Sequence, residues 1–261
     1  MSSDPSEVLF EVVDGAIAII RLNRPDKRNA VNGALAKALE AAAKRVESED
    51  ALRVAILTST SAGFFCAGAD LAEVAAGRGR DLGTREGGFA GFVDLPKVKP
   101  WIAAVSGPAL AGGCELALSC DMIVASQDSR FGLPEVKRGL FAAAGGVHRL
   151  PRALPRAIAL ELIATGDPLD AQRALAFGLV NALCPAEDLL DRALQLARAI
   201  AVNAPLSVRE SLKLARLASE LSDSEMRQLS GDAARLVMTS EDAKEGPLAF
   251  LQKRPPVWKG R

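Results

Sequence analysis

Short apolar runs that alternate with helical segments constrain the fold of this chain more than any other feature. The runs lie at 53–58, 102–105, 121–125 and 179–183. Their length and β-branched content predict buried strands. Because helical segments lie between them, the pattern predicts an α/β architecture. The spacing of the runs is too irregular to indicate a sequence repeat.

The beginning of the chain predicts a β-hairpin followed by a helix. Residues 8–13 and 16–22 are largely apolar and flank an Asp-Gly pair, which is typical of tight hairpin turns. Asn32 then opens an alanine-rich stretch with helical period that runs to about Glu47. Asparagine is a favoured N-cap, so we expect a helix to begin there.

From about residue 186 the chain reads as consecutive helices with almost no strand signal. The predicted helices lie at 186–202, 205–220, 222–238 and 241–253. We therefore predict a core domain at 1–200 and a C-terminal helical region at 201–261. The apolar faces of that region need a partner, either the core domain or another subunit.

The overall composition is that of an ordinary globular protein. Among the 261 residues, 49% are hydrophobic and 25% are charged, which argues against disorder. Lys plus Arg equals Asp plus Glu at 32 each, so net charge gives no reason to expect nucleic acid or an anionic membrane as a partner. No stretch approaches the roughly 18 apolar residues of a membrane helix.

The N-terminus and the cysteines indicate the compartment. Residues 1–15 carry acids and no uninterrupted apolar run, so we predict no signal peptide. The four cysteines show no C-x-x-C or zinc-ligand spacing, and the single histidine cannot complete such a site. These features predict a reduced, cytoplasmic protein without a bound metal.

Two glycine-edged segments could each expose a backbone amide. In LAGGCELALSCD at 110–121 a helix is expected to begin near Gly112, and the first amides of a helix have no partner within it. In FFCAGAD at 64–70 a sharp turn at Gly68 would leave the Ala69 amide free. Two exposed amides can hold a developing oxyanion, which points to chemistry on a carbonyl compound.

Two glutamates, Glu115 and Glu135, each lie beside a predicted turn of the backbone. Glu115 lies three residues beyond Gly112, about one helical turn along the same face. Glu135 follows Pro134, which fixes the local backbone direction. Sequence spacing does not show that the two acids meet. If they do, their like charges would raise at least one pKa and separate an acid role from a base role.

Each of these features also has a purely structural explanation. The paired glycines can serve only tight helix packing, and Glu115 can be an ordinary first-turn acid favoured by the helix dipole. Asp70 is a suitable N-cap for the LAEV helix that follows it. The two segments are therefore weak signals when each is taken alone.

Three other features favour a structural role over a functional one. Cys66 and Cys114 flank the proposed amides, but buried cysteine behaves as a small apolar residue, and His148 is expected at a helix surface or in packing. Residues 77–91 contain six glycines and three arginines and favour a mobile surface loop. The less favoured interpretation is a flap whose Phe89 and Phe92 face an apolar substrate.

Five segments in chain order together resemble the crotonase superfamily of acyl-CoA enzymes, and within it the enoyl-CoA hydratases. They are LNRPDKRNAV at 22–31, FFCAGADL at 64–71, KPWIAAVSGPALAGGCELALSCD at 99–121, FGLPEVKRGL at 131–140 and GGVHRLPRAL at 145–154. The C-terminal SEDAKEGPLAFLQKRPPVWKGR is similar to the carnitinyl-CoA dehydratase branch. The resemblance implies a spiral of ββα turns with a C-terminal α-helical oligomerisation region that forms homotrimers or dimers of trimers.

The resemblance also implies roles for the residues singled out above. The Ala69 and Gly112 amides would form the oxyanion hole, and Glu115 and Glu135 would be the two catalytic acids of a hydratase. The implied reaction is syn addition of water to a 2-enoyl-CoA. No metal or other cofactor is implied, since coenzyme A is part of the substrate.

Coenzyme A contacts are implied at two stretches and at the C-terminus. The matching residues are Lys27, Arg28, Ala30, Ala67, Gly68, Asp70, Leu71, Phe250 and Lys253. The last two would reach the ligand of a neighbouring subunit. Ala72 stands where many hydratases carry a lysine near the phosphates, so phosphate binding would fall to other basic residues. The turn after Leu140 reads FAAAGG, without the proline and further glycine of many relatives, and leaves chain-length preference open.

The sequence is compatible with three functions. The first is an enoyl-CoA hydratase, and the second is an isomerase or a carnitinyl-CoA dehydratase on the same fold. The third is a non-enzymatic scaffold that binds CoA thioesters or RNA. Because the sequence retains both acids and both glycine-edged amides, we favour the first.

Overall fold

The computed structural model describes residues 6–61 and 63–261. The prediction that there is no signal peptide concerns residues 1–15. Of these, residues 1–5 lie outside the described residues. The strands are β1 (Val8–Val13), β2 (Ile17–Leu22), β3 (Val54–Ser59), β4 (Gly83–Thr84), β5 (Gly88–Phe89), β6 (Trp101–Val105), β7 (Pro108–Leu110), β8 (Met122–Ser126), β9 (Arg130–Gly132), β10 (Leu169–Asp170) and β11 (Ala182–Cys184).

The α-helices follow the same chain order. They are α1 (Gly33–Ser48), α2 (Leu71–Ala75), α3 (Gly112–Leu118), α4 (Gly146–Ala153), α5 (Arg156–Thr165), α6 (Ala171–Ala176), α7 (Leu189–Ala201), α8 (Pro205–Leu217), α9 (Asp223–Met238) and α10 (Glu241–Leu251). Short 3₁₀ helices lie at Pro25–Lys27, Gly79–Leu82, Pro134–Arg138 and Ala186–Asp188.

The main sheet has the strand order β1-β2-β3-β6-β8-β11. β1 and β2 pair antiparallel, and every later neighbour pairs parallel. Side chains on one face, such as Ile56 and Ile102, pack against α7. Alternate side chains, such as Leu57 and Ala103, face the larger core on the other side. Burial on both faces explains why these strands appear in the sequence as continuous apolar runs.

The local predictions at the start of the chain are confirmed. Asp14 and Gly15 both have positive φ, 53° and 67°, between the paired strands β1 and β2, as a primed hairpin turn requires. Asn32 caps α1, since its side chain accepts a hydrogen bond from the Leu35 amide. Both features depend on residues close in sequence, which is why the pattern alone predicts them.

The strand predicted at 179–183 is displaced towards the C-terminus. The observed strand is β11 at Ala182–Cys184, and Leu179 and Val180 instead donate backbone hydrogen bonds to Ala174 at the end of α6. Gly178, with a φ of +82°, allows this turn. Both side chains are buried, so their apolar character reflects packing of the helix end and not strand pairing.

A second, smaller sheet positions the segments of interest. β7 pairs parallel with β9, and the chain at Phe65 and Cys66 hydrogen-bonds along the other side of β7. β7 therefore carries the chain directly into α3, while β9 leads into the 3₁₀ helix at Pro134–Arg138. Because parallel strands end at the same edge of a sheet, Glu115 and Glu135 emerge side by side.

The C-terminal region is helical, as the sequence predicts, although the division into domains at residue 200 stays a prediction. The N-cap of α9 is Ser222, which forms a capping box with Glu225. The end of the chain returns to α10, where the Asp242 carboxylate accepts the amides of Lys259 and Gly260. Several large apolar side chains on these helices are exposed, including Phe250, which is 83% exposed.

Within the described part of the chain, none of the helices has both the length and the apolar character needed to cross a membrane.

Candidate functional site

A cavity of about 810 Å³ lies at the edge where β7 and β9 end. Its walls come from segments that are far apart in sequence: the turn before α1, the chain leading into α2, the loop around β5, the start of α3 and the turns on both sides of Glu135. The lining includes Ala69, Gly112, Glu115 and Glu135. The fold therefore brings together the four residues to which sequence analysis assigns chemistry.

The Ala69 amide is left without an acceptor by the pairing of its neighbours. The Val31 amide donates to the Gly68 carbonyl at 2.7 Å, and the Asp70 amide donates to the Val31 carbonyl at 2.9 Å. In such parallel pairing the intervening residue points its N–H away from the partner. Among the described residues, none accepts a hydrogen bond from the Ala69 amide, which borders the cavity.

The Gly112 amide begins α3 next to this position. It too has no acceptor among the residues that the structure describes, as expected for the first amide of a helix. Ala111, before it, has φ 51° and ψ −129°, a strained conformation for a residue with a side chain. A Cβ placed on Gly68 would lie 2.8 Å from the Gly112 nitrogen, so the two amide-bearing segments are in van der Waals contact.

Glu115 is buried on the first turn of α3, with 3% of its surface exposed. The pKa of Glu115 is raised to about 7, mainly by burial and to a smaller extent by the negative charge of Glu135. The Gly146 amide acts in the opposite direction, donating to Glu115 Oε1 at 2.9 Å. A carboxyl group that titrates near neutral pH can both accept and release a proton there.

Glu135 is half-buried at the start of the 3₁₀ helix that follows β9. Burial also raises the pKa of Glu135. Its Oε2 is buried and has no hydrogen-bond partner among the described residues. Buried polar atoms normally have partners, so an unpaired carboxylate oxygen in a cavity marks a place where a polar ligand atom would be stabilised.

The predicted coenzyme A residues divide into two groups. Arg28, Ala30, Ala67 and Leu71 line the cavity, and the Ala67 amide donates to the Arg28 carbonyl at 3.0 Å, which joins the two predicted stretches. The residues outside its lining are Lys27, Gly68, Asp70, Phe250 and Lys253.

Two residues of the second group have positions that explain their absence from the lining. The Asp70 side chain caps α2 and pairs with Arg24 at 3.2 Å, which is the structural role that the sequence also allowed. Phe250 lies on α10, is largely exposed and does not line the cavity of its own chain. Its predicted contact with a neighbouring subunit's ligand stays a prediction.

Residues 77–91 do not form a featureless loop. They contain a short hairpin, β4 and β5. The Phe89 ring lies in the cavity against Gly112, where a Cβ would meet Phe89 Cε1 at 2.4 Å. The expectation that Phe92 faces a substrate is wrong, because this side chain is fully buried and packs edge-on against Trp101 at 4.8 Å. The sequence does not separate the two aromatic residues, since both follow glycines.

Several further lining residues carry charge and were not singled out from the sequence. They are Arg80, Asp94 and Arg138. Arg80 falls in the glycine-rich segment at 77–91, whose composition assigns no role to its three arginines. Asp94 and Arg138 had no local signal, because an isolated charge reads as an ordinary surface residue.

The thiols and the histidine have the structural roles expected of them. Cys66 and Cys114 are fully buried, and burial raises the pKa of the Cys66 thiol to about 12 and raises that of Cys114 as well. A thiol held protonated is a poor nucleophile. His148 is exposed on α4 and does not line the cavity.

The arrangement suits a reaction in which negative charge develops on a carbonyl oxygen while protons move nearby. Two neighbouring amides for which the described residues supply no acceptor can hold that oxygen. Two carboxyl groups with raised pKa values can exchange protons with water and with an adjacent carbon. One cavity of the described chain thus offers both functions.

Comparisons with known proteins agree with this chemistry. A family model described as enoyl-CoA hydratase/isomerase matches residues 13–261. A carnitinyl-CoA dehydratase of Proteus mirabilis (strain HI4320) is 42% identical and covers 98% of this chain and 100% of its own length.

Two solved structures show the same fold. Enoyl-CoA hydratase from Mycobacterium tuberculosis H37Rv superimposes with a TM-score of 0.92 at 46% identity, covering 98% of this chain and 100% of its own. Enoyl-CoA hydratase from Mycobacterium marinum gives a TM-score of 0.94 at 46% identity with the same coverage. The predicted fold class and the resemblance to the crotonase superfamily are confirmed. This chain belongs to the enoyl-CoA hydratase/isomerase family.

Proposed function

We propose that this protein catalyses the reversible syn hydration of a 2-enoyl-CoA to a 3-hydroxyacyl-CoA. The observation that carries the proposal is one cavity lined by Ala69 and Gly112, whose amides have no acceptor among the described residues, and by the two carboxyl groups of Glu115 and Glu135. An isomerase needs to move only one proton between carbons, whereas water addition needs one group to activate water and one to protonate carbon. Retention of both acids favours hydration.

In the proposed reaction the Ala69 and Gly112 amides bind the thioester carbonyl oxygen. As water adds to Cβ, the carbonyl oxygen gains enolate charge, and the two amides stabilise it by about 3 kcal/mol each in the transition state. Because the amides are held by backbone pairing and by the start of α3, they need little reorganisation when the charge develops.

The two carboxyl groups then divide the proton transfers. Glu115, ionised, takes a proton from the water that attacks Cβ, and Glu135, protonated, gives a proton to Cα. Because each charge affects the other, the two groups titrate as a pair. The reaction as proposed needs the two amides, the two carboxyl groups, one water molecule and the coenzyme A thioester substrate.

Three arginines support binding of the coenzyme A portion. Arg28, Arg80 and Arg138 line the cavity, and the Arg28 guanidinium lies 5.6 Å from the centre of the Phe64 ring. Arginine binds phosphate through paired N–H donors. We propose that these side chains supply the positive charge that Ala72 cannot.

The proposed function is tested with crotonyl-CoA and purified full-length protein. We expect hydration to 3-hydroxybutyryl-CoA, followed as loss of the ultraviolet absorbance of the conjugated enoyl thioester and verified by product mass. Incubation of a 3-enoyl-CoA serves as the comparison. Conversion of the 3-enoyl-CoA to its 2-enoyl isomer without water addition would assign isomerase chemistry instead and reject the proposal.

Asp94 favours a second candidate, dehydration of a carnitinyl-type thioester. Its carboxylate lies in the cavity against Gly88, where a Cβ would meet Asp94 Oδ2 at 2.0 Å, and its ion-pair partner Arg149 is 3.9 Å away. The Phe89 and Phe141 rings line the same cavity. A carboxylate and aromatic rings together stabilise a quaternary ammonium group, which a carnitinyl chain carries one methylene beyond its hydroxyl-bearing carbon.

Asp94→Asn separates the two candidates. Because the Asp94 side chain is 65% exposed, solvent screens its charge, and we expect KM for carnitinyl-CoA to rise about 5-fold. KM for crotonyl-CoA, which has no cation, should stay unchanged. Steady-state kinetics with both thioesters checks this. Equal effects on the two substrates would mean that Asp94 does not recognise a cation.

The C-terminal helices support a proposal about assembly. Exposed apolar side chains on α9 and α10, and next to them, include Leu236, Met238, Phe250 and Leu251. Monomeric proteins rarely expose large contiguous apolar patches, so we propose that this surface meets further copies of the chain in a homotrimer or dimer of trimers. Sedimentation as a monomer would contradict this.

A further inference from the structure

Arg149 joins two segments of the cavity wall next to Glu115. On the first turn of α4, its Nη1 donates to the Ala144 carbonyl at 2.9 Å and its Nη2 to the Val93 carbonyl at 2.8 Å. The Asp94 carboxylate lies 3.9 Å from Nη2, and the Arg149 side chain is only 24% exposed. Because guanidinium donors have a rigid planar geometry, one side chain fixes the spacing between these two segments.

The turn held by Arg149 is the turn that holds Glu115. Gly145, with a φ of +105°, makes room for the guanidinium, since a Cβ there would lie 2.2 Å from Arg149 Nη1. The next residue, Gly146, donates its amide to Glu115 Oε1, and a Cβ at Gly146 would lie 3.0 Å from Glu115 Cγ. The Glu115 carboxylate therefore rests directly on backbone that Arg149 anchors through Ala144.

We infer that Arg149 is a positioning residue for the proposed reaction: it fixes the turn 144–146 that orients the Glu115 carboxylate, and it places a positive charge behind that carboxylate. The inference rests on the proposed function of the cavity. Arg149 itself is not in the lining of the cavity, so it acts through Glu115 and not on the substrate.

The groups around Glu115 determine how the loss of Arg149 changes the Glu115 pKa. Burial is the largest cause that raises the Glu115 pKa, and Glu135, from the 3₁₀ helix after β9, also raises it. The Gly146 and Ala144 amides and the Arg149 charge lower it. Cys114, beside Glu115 on α3, is a protonated thiol and adds no charge. Removing Arg149 therefore leaves the Glu115 pKa higher than in the wild type.

Kinetics of Arg149→Met and Arg149→Lys test this inference. In Arg149→Met we expect kcat for crotonyl-CoA to fall roughly 30-fold, within the ~10²-fold effect of small misplacements, with KM nearly unchanged. The acid limb of the kcat/KM profile should move to higher pH, because Glu115 then ionises at higher pH. Lysine restores the positive charge but not the paired hydrogen bonds. In Arg149→Lys the acid limb should therefore return towards its wild-type position, whereas kcat should recover only in part.

Arg152→Met is the matched control. Arg152 lies one turn further along α4 and pairs with Glu220 at the surface at 2.9 Å. We expect neither kcat nor the acid limb to change. An equal loss in Arg152→Met, or an unmoved limb in Arg149→Met, would show that Arg149 serves only the stability of α4 and would overturn the inference.

A measurement without turnover separates this inference from the proposed function. Infrared difference spectra of the full-length protein between pH 5 and pH 9 follow carboxyl ionisation, and Glu115→Gln identifies the Glu115 band. We expect the midpoint of that band to rise in Arg149→Met and to return in Arg149→Lys. An unshifted band overturns the role of Arg149 even if hydration is confirmed, whereas inactivity of the wild-type protein rejects only the proposed function.

Discussion

We expect Glu115→Gln to lower kcat for enoyl-CoA hydration by about 10³- to 10⁴-fold and to leave KM within a few-fold. Glutamine has nearly the same shape as glutamate and still offers an oxygen to the Gly146 amide, which donates to Glu115 Oε1 at 2.9 Å. The substitution therefore keeps the local packing and removes the proton acceptor. In the proposed function the arginines of the cavity wall bind the coenzyme A portion, so we expect substrate binding to survive the substitution.

The pH profile identifies the lost group. In the wild type, the base form of Glu115 disappears as pH falls through its pKa of about 7, so kcat/KM should decline on the acid side of neutrality. The residual activity of Glu115→Gln should lack this acid limb. Glu220→Gln, which changes a surface acid paired with Arg152, is the matched control and should behave as the wild type. A wild-type rate in Glu115→Gln would remove Glu115 from the mechanism.

The companion substitution Glu135→Gln tests whether the two acids act as a unit. We expect a loss of similar size, because the proton delivered to Cα then has no donor. The double variant should be little worse than either single variant, since groups that act together in one step show strongly non-additive effects. Losses that multiply in the double variant would indicate that the two glutamates serve separate steps.

The parts of the fold that depend on neighbouring residues could be predicted from the sequence. Asn32 caps α1 and Ser222 caps α9 because the partner amides lie three residues away. The Asp14-Gly15 turn follows from the ability of both residues to adopt positive φ. The breaks between the C-terminal helices likewise reflect local capping and proline preferences.

The meeting of the site residues could not be predicted from spacing. Glu115 and Glu135 share a cavity because β7 and β9 are parallel neighbours. Where the two strands end, the Ala111 amide donates a hydrogen bond to the Gly132 carbonyl at 2.9 Å. Such pairings join residues about 20 positions apart, and no local pattern specifies them. Only the resemblance to a family of known fold pointed to the arrangement.

The apolar character of a side chain does not show whether it packs in the core or lines the cavity. Phe89 and Phe92 lie three residues apart, yet the first lines the cavity and the second is buried against Trp101. The difference is set by the hairpin of β4 and β5, which turns Phe89 towards Gly112. Burial depends on the partners that the tertiary fold supplies, so the sequence alone assigns both residues the same preference.

Gly68→Ala should abolish most of the oxyanion hole, and kcat/KM should fall by about 10²- to 10³-fold. The new Cβ would lie 2.8 Å from the Gly112 nitrogen, 2.9 Å from the Ala111 Cβ and 3.2 Å from the Leu110 carbonyl oxygen. None of these atoms is the end of a flexible side chain, so the backbone itself must shift. The shift displaces the Gly112 amide, one of the two proposed donors to the thioester oxygen.

The same substitution carries a conformational cost that must be separated from the loss of the amide. Gly68 has a φ of +90°, and an L-residue in the left-handed region costs about 1–2 kcal/mol. Gly178→Ala is the matched control, because Gly178 has a φ of +82° with open space around it and lies outside the cavity lining. We expect both variants to lower Tm, and only Gly68→Ala to lower kcat/KM by orders of magnitude. Full activity in a folded Gly68→Ala protein would contradict the assignment of the Gly112 amide to the oxyanion hole, because the added Cβ lies 2.8 Å from that nitrogen and displaces it from its wild-type position.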